Sequence, residues 1–291
     1  MAFNLQVFKT RALTAVIFAA IMLTGLFYNQ WTFLGLFTVI HFGCWLEYQK
    51  IMALINPDYK TISTFHRNGI MLLGWCFVLF NTDNSFHIGR ITLHGVGWYG
   101  LQLFTIIFCL TEIVIKKQLN LKVISYSLCG LIYISLSWGL IMRLWTASTN
   151  LDEVAITPGY LLPIILIASI WINDTMAYIV GSFIGKTPLS PISPKKTWEG
   201  TIGGAVLAIA VVTLGCKYLF HISNSKLLLI ISATAAIVGT LGDLLESKLK
   251  RLANIKDSGQ IMPGHGGFLD RFDSLLVATP IVWILLKLFV L

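Results

Sequence analysis

Charged residues are scarce in this chain of 291 residues. Asp, Glu, Lys and Arg together make up only 12% of the sequence, whereas a soluble domain contains roughly 25%. The polar stretches between the apolar runs are too short to enclose a hydrophobic core of their own. The sequence therefore predicts a protein without a separate soluble domain.

Paired cysteines are also missing. The five cysteines stand in apolar runs, and no two of them have the CxxC spacing of metal or redox sites. An odd number without such pairs argues against zinc binding and disulfides, so we expect small buried side chains. These residues are Cys44, Cys76, Cys109, Cys129 and Cys216.

Apolar residues, by contrast, are abundant: 56% of the chain is hydrophobic and the mean hydropathy is +0.78. Long apolar runs are typical of membrane-spanning helices. We predict an all-α polytopic integral membrane protein with about nine transmembrane helices. The predicted spans cover residues 12–28, 31–46, 68–82, 95–115, 123–146, 159–181, 200–220, 226–242 and 274–291.

The charges divide the chain into two parts. Polar groups are few in residues 1–150, which we interpret as a scaffold of transmembrane helices, with Glu47 as a solvated helix end. Residues 151–291 hold the polar clusters and are predicted to be the catalytic region. No cleavable signal peptide is evident, and the compact length with no polar N-terminal extension favours a bacterial plasma membrane.

The positive charges indicate an orientation. The net charge is +8, but the basic residues flank apolar runs, which favours membrane topology over nucleic-acid binding. With the N-terminus in the cytoplasm, sixteen Lys and Arg residues lie inside and five outside. This split places the segments 182–199 and 243–273 together on the cytoplasmic side.

Residues 243–273 form the most polar stretch, with five of the 13 acidic and five of the 21 basic residues. Four of its side chains share one face of a predicted helix, spaced i, i+3, i+4 and i+7: Asp243, Glu246, Ser247 and Lys250. Asp270 and Asp273 share a face at the start of the last span. A glycine-rich passage that contains His265 separates the two groups, and glycines let a backbone approach a ligand closely.

Convergent carboxylates without cysteine favour Mg²⁺, which usually completes its ligand shell with substrate phosphates. Interleaved basic residues would neutralise phosphate oxygens: Lys250, Arg251, Lys256 and Arg271. Metal, cations and a glycine-rich passage together indicate phosphoryl or nucleotidyl transfer. The competing interpretation is a solvated charged loop with mutual salt bridges.

A second polar segment begins at Asp174, which lies at membrane depth and must face a cavity or a cation. A structural ion pair with Lys or Arg is the alternative. The segment continues into a basic, hydroxyl-rich loop that precedes a helix predicted to start at Thr197. Because free N–H groups at a helix start attract anions, we expect phosphate binding there by Ser193, Lys195, Lys196 and Thr197.

These two segments resemble the signature of phosphatidate cytidylyltransferases, also called CDP-diacylglycerol synthases. The resemblance is specific over about residues 170–280 and rests on two patterns. They are Ser247-x-Leu249-Lys250-Arg251-x₄-Lys256-Asp257-x-Gly259-x₃-Pro263-x-His265-Gly266-Gly267-Phe268-x-Asp270-Arg271-Phe272-Asp273, and Asp174-Thr175-x-Ala177-Tyr178 followed by Ser193-Pro194-Lys195-Lys196-Thr197-Trp198-Glu199-Gly200. Met262 and Asn173 depart from the family pattern without touching a charged position.

The resemblance implies transfer of CMP from CTP to phosphatidate, with Mg²⁺ and often K⁺, by a homodimeric membrane protein. It implies Asp243 and Asp270 as metal carboxylates, with Asp273 beside them. Catalytic roles are expected for these three and for Lys250, Arg251, Lys256, His265 and Arg271. Substrate contacts are expected from Asp174, Ser193, Lys195, Lys196, Thr197, Glu199, Ser247, Asp257, Gly266 and Gly267.

Two other functions remain open at this point. A cation-coupled secondary transporter would use Asp174 and Asp243 as ion sites within its spans. The cytoplasmic placement of most charges and the absence of two-half symmetry argue against it. An ATP-dependent lipid kinase would share the membrane setting, but the sequence has no GxxxxGK[ST] loop.

The charge split makes a topological prediction. A reporter inserted near residue 190 should lie in the cytoplasm, whereas one fused after residue 291 should lie outside it, because nine spans separate an inside N-terminus from an outside C-terminus. Reporter activity or protease protection in membrane vesicles measures both positions. A cytoplasmic reporter after residue 291 would contradict the count of nine spans.

Overall fold

The computed structural model describes residues 5–111, 120–149, 158–219, 222, 224–260 and 266–290. Most of the described chain is α-helical, as predicted from the apolar runs. The helices are α1 (Leu5–Phe27), α2 (Gln30–Ile55), α3 (Pro57–Lys60), α4 (Thr64–Phe80), α5 (Leu93–Leu110), α6 (Leu121–Gly130), α7 (Leu136–Thr149), α8 (Leu161–Ile184), α9 (Trp198–Leu219), α10 (Ser225–Leu252) and α11 (Leu269–Phe289). A π-helical turn, Leu131–Ser135, joins α6 to α7.

Two short antiparallel hairpins interrupt the helices: β1 (His87–Ile88) with β2 (Ile91–Thr92), and β3 (Pro188–Ser190) with β4 (Ser193–Thr197). The second hairpin occupies the segment predicted as a basic loop. Its register pairs Pro188 with Thr197 and Ser190 with Ser193. Helix α9 then begins at Trp198, one residue after the predicted start.

Within the described residues, six helical segments are long and apolar enough to cross a membrane. They are Leu93–Leu110, Leu121–Ser148, Leu161–Ile184, Trp198–Tyr218, Ser225–Leu252 and Leu269–Phe289. The polytopic all-α fold is therefore confirmed, whereas the count of nine spans is not. The runs predicted at 31–46 and 68–82 coincide with α2 and α4, which are not among these six segments, and the run predicted at 12–28 lies in α1, where the described apolar stretch is Val16–Phe27.

Helix α10 continues ten residues beyond the predicted span, which ended at 242, and ends at Leu252. Asp243 therefore lies inside the helix, and its predicted shared face with Glu246 and Lys250 is regular α-helix. Helix α2 likewise runs nine residues beyond the predicted 31–46. In both helices the extra turns carry charged side chains, which lower the hydropathy that marks a span without ending the helix.

The chain folds into two compact units: Met1–Met142 with Leu252–Arg271, and Arg143–Arg251 with Phe272–Leu291. The predicted functional division into 1–150 and 151–291 stays a prediction.

In the first unit, polar side chains fix α2 against the segment 121–135. Ser135 Oγ accepts from Trp45 Nε1 at 2.9 Å and lies 3.1 Å from His41 Nε2. Tyr48 Oη donates to the Tyr126 carbonyl at 2.8 Å. Buried groups of this kind hold one orientation, because any rotation of α2 would leave them without a partner. The face of α2 that carries Glu47 is thereby set.

The second unit depends on small residues between α8 and α9. The two helices are antiparallel, since Gly200 meets Gly181 whereas Gly204 meets Ala177. A β-carbon at Gly204 would lie 2.7 Å from the Cα of Ala177 and 2.6 Å from its nitrogen. Small residues let membrane helices approach closely enough for backbone contact.

Cysteines are only partly as expected. None of the five is in a disulfide, and Cys44, Cys76 and Cys216 are buried as predicted. Cys109 and Cys129 are exposed on α5 and α6, which corrects the prediction for those two.

The helix contact predicts the effect of one methyl group. Gly204→Ala should destabilise the protein by about 1–3 kcal/mol, because the added β-carbon would meet the backbone of Ala177, which cannot move aside as a flexible side chain would. Gly215→Ala in the same helix is the control, since no heavy atom lies within 4 Å of that β-carbon. Thermal unfolding in detergent compares the two variants. Equal melting temperatures would contradict the close contact.

Candidate active site

A cluster of carboxylates lies within the second unit, where α10 packs against the part of α11 that begins at Phe272. The side chains of Asp243 and Asp273 are within hydrogen-bonding distance of each other, and Glu246 interacts electrostatically with Asp273. Gly242 permits this approach, because a β-carbon there would lie 2.6 Å from the carbonyl oxygen of Asp273. The predicted proximity of Asp243 and Asp273 is thus present in the structure.

Lysine and aspartate from the second polar segment join this cluster. Lys196, at the end of β4, places its Nζ 2.6 Å from Oδ2 of Asp243. Asp174, inside α8, interacts electrostatically with both Lys196 and Asp243. The structure therefore brings together acidic and basic groups from the two segments that the sequence singled out.

Glu246 is a member of this cluster that the predicted set of site residues left out. Its side chain is 0% exposed, and its Oε2 forms an ion pair with Nζ of Lys250 one helical turn later. The i, i+4 spacing of Glu246 and Lys250 could be read from the sequence, but the burial of Glu246, which makes its ion pair important for stability, could not. Lys250, predicted to act on substrate, is observed as the partner of a buried carboxylate.

The β3–β4 hairpin is anchored by Glu199 at the start of α9. Its carboxylate accepts from the backbone N–H groups of Lys186 and Thr187 at 3.1 Å, and from Thr187 Oγ1 at 2.8 Å. Thr197 Oγ1 accepts from Gly200 N at 3.2 Å. Glu199 and Thr197, predicted to contact substrate, are thus seen shaping the hairpin that presents Lys196.

In the first unit, three polar groups surround one oxygen of Asp270. Its Oδ2 accepts from Ser258 N and Gly267 N, each at 2.8 Å, and lies 2.9 Å from Ser258 Oγ. These bonds tie the first turn of α11 to the segment that follows α10. The orientation of the Asp270 carboxylate is therefore fixed by backbone and hydroxyl groups.

Glu47 was interpreted as a solvated helix end, and this prediction is wrong. The residue is 7% exposed and lies inside α2. Its Oε1 accepts from Phe268 N at 2.9 Å, and its Oε2 accepts from Leu269 N at 2.9 Å and from Ser258 Oγ at 2.7 Å. The partners are 211 to 222 residues away in sequence, so no local pattern revealed them.

The glycines of the signature border these two carboxylates. Gly266 has a φ of +80°, a conformation that other residues adopt at a cost, and its β-carbon would lie 2.6 Å from Oδ2 of Asp270. A β-carbon at Gly267 would collide with the Glu47 carboxylate. The close backbone approach predicted for a ligand is therefore observed toward the protein's own acids, and the predicted substrate contacts of both glycines stay predictions.

The remaining predicted residues are distributed as follows. Ser193 and Ser247 are partly exposed, whereas Lys195, Arg251, Lys256, Asp257 and Arg271 are exposed. His265 lies outside the described residues, as do Pro263 and Gly264. Asp243 and Asp273 belong to the second unit and Asp270 to the first.

Comparison with known proteins decides the family. The sequence model of the cytidylyltransferase family matches residues 9–289. A protein named phosphatidate cytidylyltransferase from Bacillus subtilis is 33% identical over 97% of this chain and 98% of its own length. The chain belongs to the cytidylyltransferase family. The resemblance stated from the signature residues is confirmed.

Other similar cytidylyltransferases carry the same name. The one from Haemophilus influenzae is 31% identical over 94% of this chain and 96% of its own length. The one from Synechocystis is 47% identical over 43% of each chain. Nothing among these similarities supports the alternative of a cation-coupled transporter.

Whether the cytidylyltransferase site suits a divalent cation can be judged from its donors. Among the described residues, no three His, Cys, Asp or Glu side chains converge in a geometry that could hold a metal ion. The cluster nevertheless combines four acidic side chains with two ammonium groups, a formal excess of two acids: Asp174, Asp243, Glu246 and Asp273 against Lys196 and Lys250. Since Mg²⁺ is usually held by one or two carboxylates plus substrate phosphates, Asp243 and Asp273 suit it.

The buried ion pair predicts an asymmetric response to mutation. Lys250→Met should lower the free energy of unfolding by about 3–5 kcal/mol, because the enclosed Glu246 carboxylate loses its ammonium partner. The double change Lys250→Met with Glu246→Leu should recover most of that loss, since neither position of the pair then carries a charge. Chemical denaturation in detergent measures the three proteins.

Lys248→Met is the matched control, because Lys248 is exposed on the same helix and its loss should stay within about 0.5 kcal/mol. A double variant no more stable than Lys250→Met would contradict the assignment of the pair.

Proposed function

We propose that this chain transfers CMP from CTP to phosphatidate, yielding CDP-diacylglycerol and pyrophosphate in phospholipid synthesis. The single observation that carries the proposal is full-length similarity to proteins named phosphatidate cytidylyltransferase, 33% identical over 97% of the chain in one case. The cluster around Asp243 supports it, because acidic and basic groups meet there as nucleotidyl transfer requires. Helices that can cross a membrane are consistent with a lipid substrate.

In this reaction a phosphate oxygen of phosphatidate attacks the α-phosphorus of CTP. One oxygen–phosphorus bond forms, the bond to the β-phosphate bridge breaks, and pyrophosphate leaves with the electron pair. A phosphate dianion is already a nucleophile, so no strong general base is needed. The task of the protein is to align the two phosphates and to stabilise the developing charge.

Lys196 is the residue best placed to take part in this alignment. Its ammonium lies at the edge of the carboxylate cluster, bound to Asp243, and the hairpin that carries it is fixed by Glu199. We expect the ammonium to exchange Asp243 for a phosphate oxygen of the substrate. Lys195, Ser193 and the exposed Arg251, Lys256 and Arg271 are proposed as further phosphate contacts.

We also propose that Mg²⁺ is held by Asp243 and Asp273, with Asp270 as the remaining predicted metal carboxylate. Bound there, the ion would stabilise the charge that develops on attacking and leaving oxygens. We further propose an additional K⁺ and a homodimeric assembly, which the family resemblance supports. A cytoplasm-facing site in a bacterial plasma membrane is also proposed, supported by the charge split and the compact length of the chain.

The experiment is an assay of the purified chain with labelled CTP and phosphatidate. Mg²⁺-dependent formation of CDP-diacylglycerol and pyrophosphate is the expected result. Asp270→Asn keeps the volume of the side chain but removes its charge, so turnover should fall by about 10²–10³-fold while the protein still folds. No pyrophosphate from the unmodified chain would exclude the proposed function, and near-normal turnover by Asp270→Asn would exclude its role with the metal.

A further inference from the structure

Glu47 stands out because the reaction as described gives it no role. It is an acidic residue from the predicted scaffold half, yet its carboxylate binds the signature segment at three points: Phe268 N, Leu269 N and Ser258 Oγ. All of these residues belong to the first unit. A buried carboxylate is costly unless donors surround it, so this arrangement is specific.

Two of the three donors are backbone amides at the start of α11. Helix α11 begins at Leu269, and the first N–H groups of a helix have no partner within the helix. Glu47 supplies that partner from another helix, and its negative charge suits the positive end of the helix dipole. The backbone immediately before Asp270 is therefore held by Glu47.

The third donor connects Glu47 directly to Asp270. Ser258 Oγ lies 2.7 Å from Oε2 of Glu47 and 2.9 Å from Oδ2 of Asp270, and Ser258 N donates to the same Asp270 oxygen. A hydroxyl between two carboxylates fixes the distance between them. Glu47, Ser258 and Asp270 form one connected hydrogen-bond network.

Glycines line this hydrogen-bond network at positions where a side chain would not fit. A β-carbon at either Gly259 or Gly267 would collide with the Glu47 carboxylate, and one at Gly43 would collide with the ring of Phe268. The signature segment and α2 can therefore approach each other this closely only because these three positions are glycine. A displacement of the Glu47 carboxylate must move the segment that carries Asp270.

We propose that Glu47 is a positioning residue for Asp270, acting through Ser258 and the amides of Phe268 and Leu269. This inference rests on the proposed function, in which Asp270 contributes to metal binding. Its observable consequence is that metal affinity depends on a residue of α2. Misplacing a catalytic group by about 1 Å can lower a rate by roughly 10²-fold.

The decisive variant is Glu47→Gln in the full-length protein. Gln keeps the size of the side chain, but its NH₂ group would face an N–H or O–H donor in place of an acceptor oxygen. The probe is Mn²⁺, whose dissociation constant is measured by electron paramagnetic resonance without any turnover. We expect that constant to rise about tenfold and kcat to fall about 10–100-fold, with KM for phosphatidate within about threefold.

Two further variants keep the test decisive. Ser258→Ala removes the connecting hydroxyl and should weaken Mn²⁺ binding in the same direction, even if Glu47→Gln does not fold. Glu47→Asp retains a carboxylate and should recover part of the affinity. In an Asp270→Asn background, Glu47→Gln should add little further loss, because residues that act as a unit are not additive.

Gln49 provides a matched control on the same helix. It is 4% exposed, and its Nε2 donates to the carbonyl oxygen of Arg67 at 2.9 Å, away from the signature segment. Gln49→Leu should lower thermal stability without changing Mn²⁺ affinity or kcat. If Glu47→Gln and Ser258→Ala also lowered thermal stability but left Mn²⁺ affinity and kcat unchanged, the proposal would be overturned. The network would then have only a structural role.

Failure of the inference can be told apart from failure of the proposed function. If the unmodified chain makes CDP-diacylglycerol but Mn²⁺ affinity is indifferent to Glu47 and Ser258, the positioning role is wrong and the function stands. If Mn²⁺ affinity depends on Glu47 but no CDP-diacylglycerol forms, the function is wrong and the positioning role stands.

Discussion

A carboxylate removed from water must find donors or a cation, and this constraint organises the polar interior of the protein. Glu246 and Glu47 satisfy it in different ways. Glu246 pairs with the ammonium of Lys250, so the two charges cancel. Glu47 instead accepts hydrogen bonds from two backbone amides and a hydroxyl, which are neutral donors. The first solution stiffens one helix, whereas the second joins α2 to the start of α11 and retains a negative charge beside it.

Much of the fold follows from the sequence, because apolar runs and helices coincide in a lipid-embedded chain. The predicted spans agree with α8, α9 and α11 to within five residues at each end. The failures also have a physical origin. Helix α10 continues past 242 because charged residues such as Lys248 and Lys250 are good helix formers even though they are not apolar. The β3–β4 hairpin was predicted only as a loop, because prolines such as Pro191 and Pro194 exclude a helix but do not by themselves specify paired strands.

The candidate site was predictable where its residues are close in sequence. The helical spacing of Asp243, Glu246 and Lys250 placed them on one face, and the signature residues identified the family that the comparisons confirm. Glu47 could not be found in this way, because its partners begin 211 residues later. One signal was available: an isolated acid in a region with few polar groups must be compensated somewhere. That signal identifies a residue of interest without naming its partner.

The large sequence separation between Glu47 and its hydrogen-bond donors also affects folding during translation. Helices α8 and α9 are joined by a short hairpin, so they can pair as soon as both have left the ribosome. The donors of Glu47 arrive only after more than 200 further residues have been synthesised. During most of translation the Glu47 carboxylate therefore lacks its final hydrogen-bond donors, and α2 cannot reach its final packing until α11 begins to form. A chain that ends before residue 258 would contain Glu47 but none of these three donors.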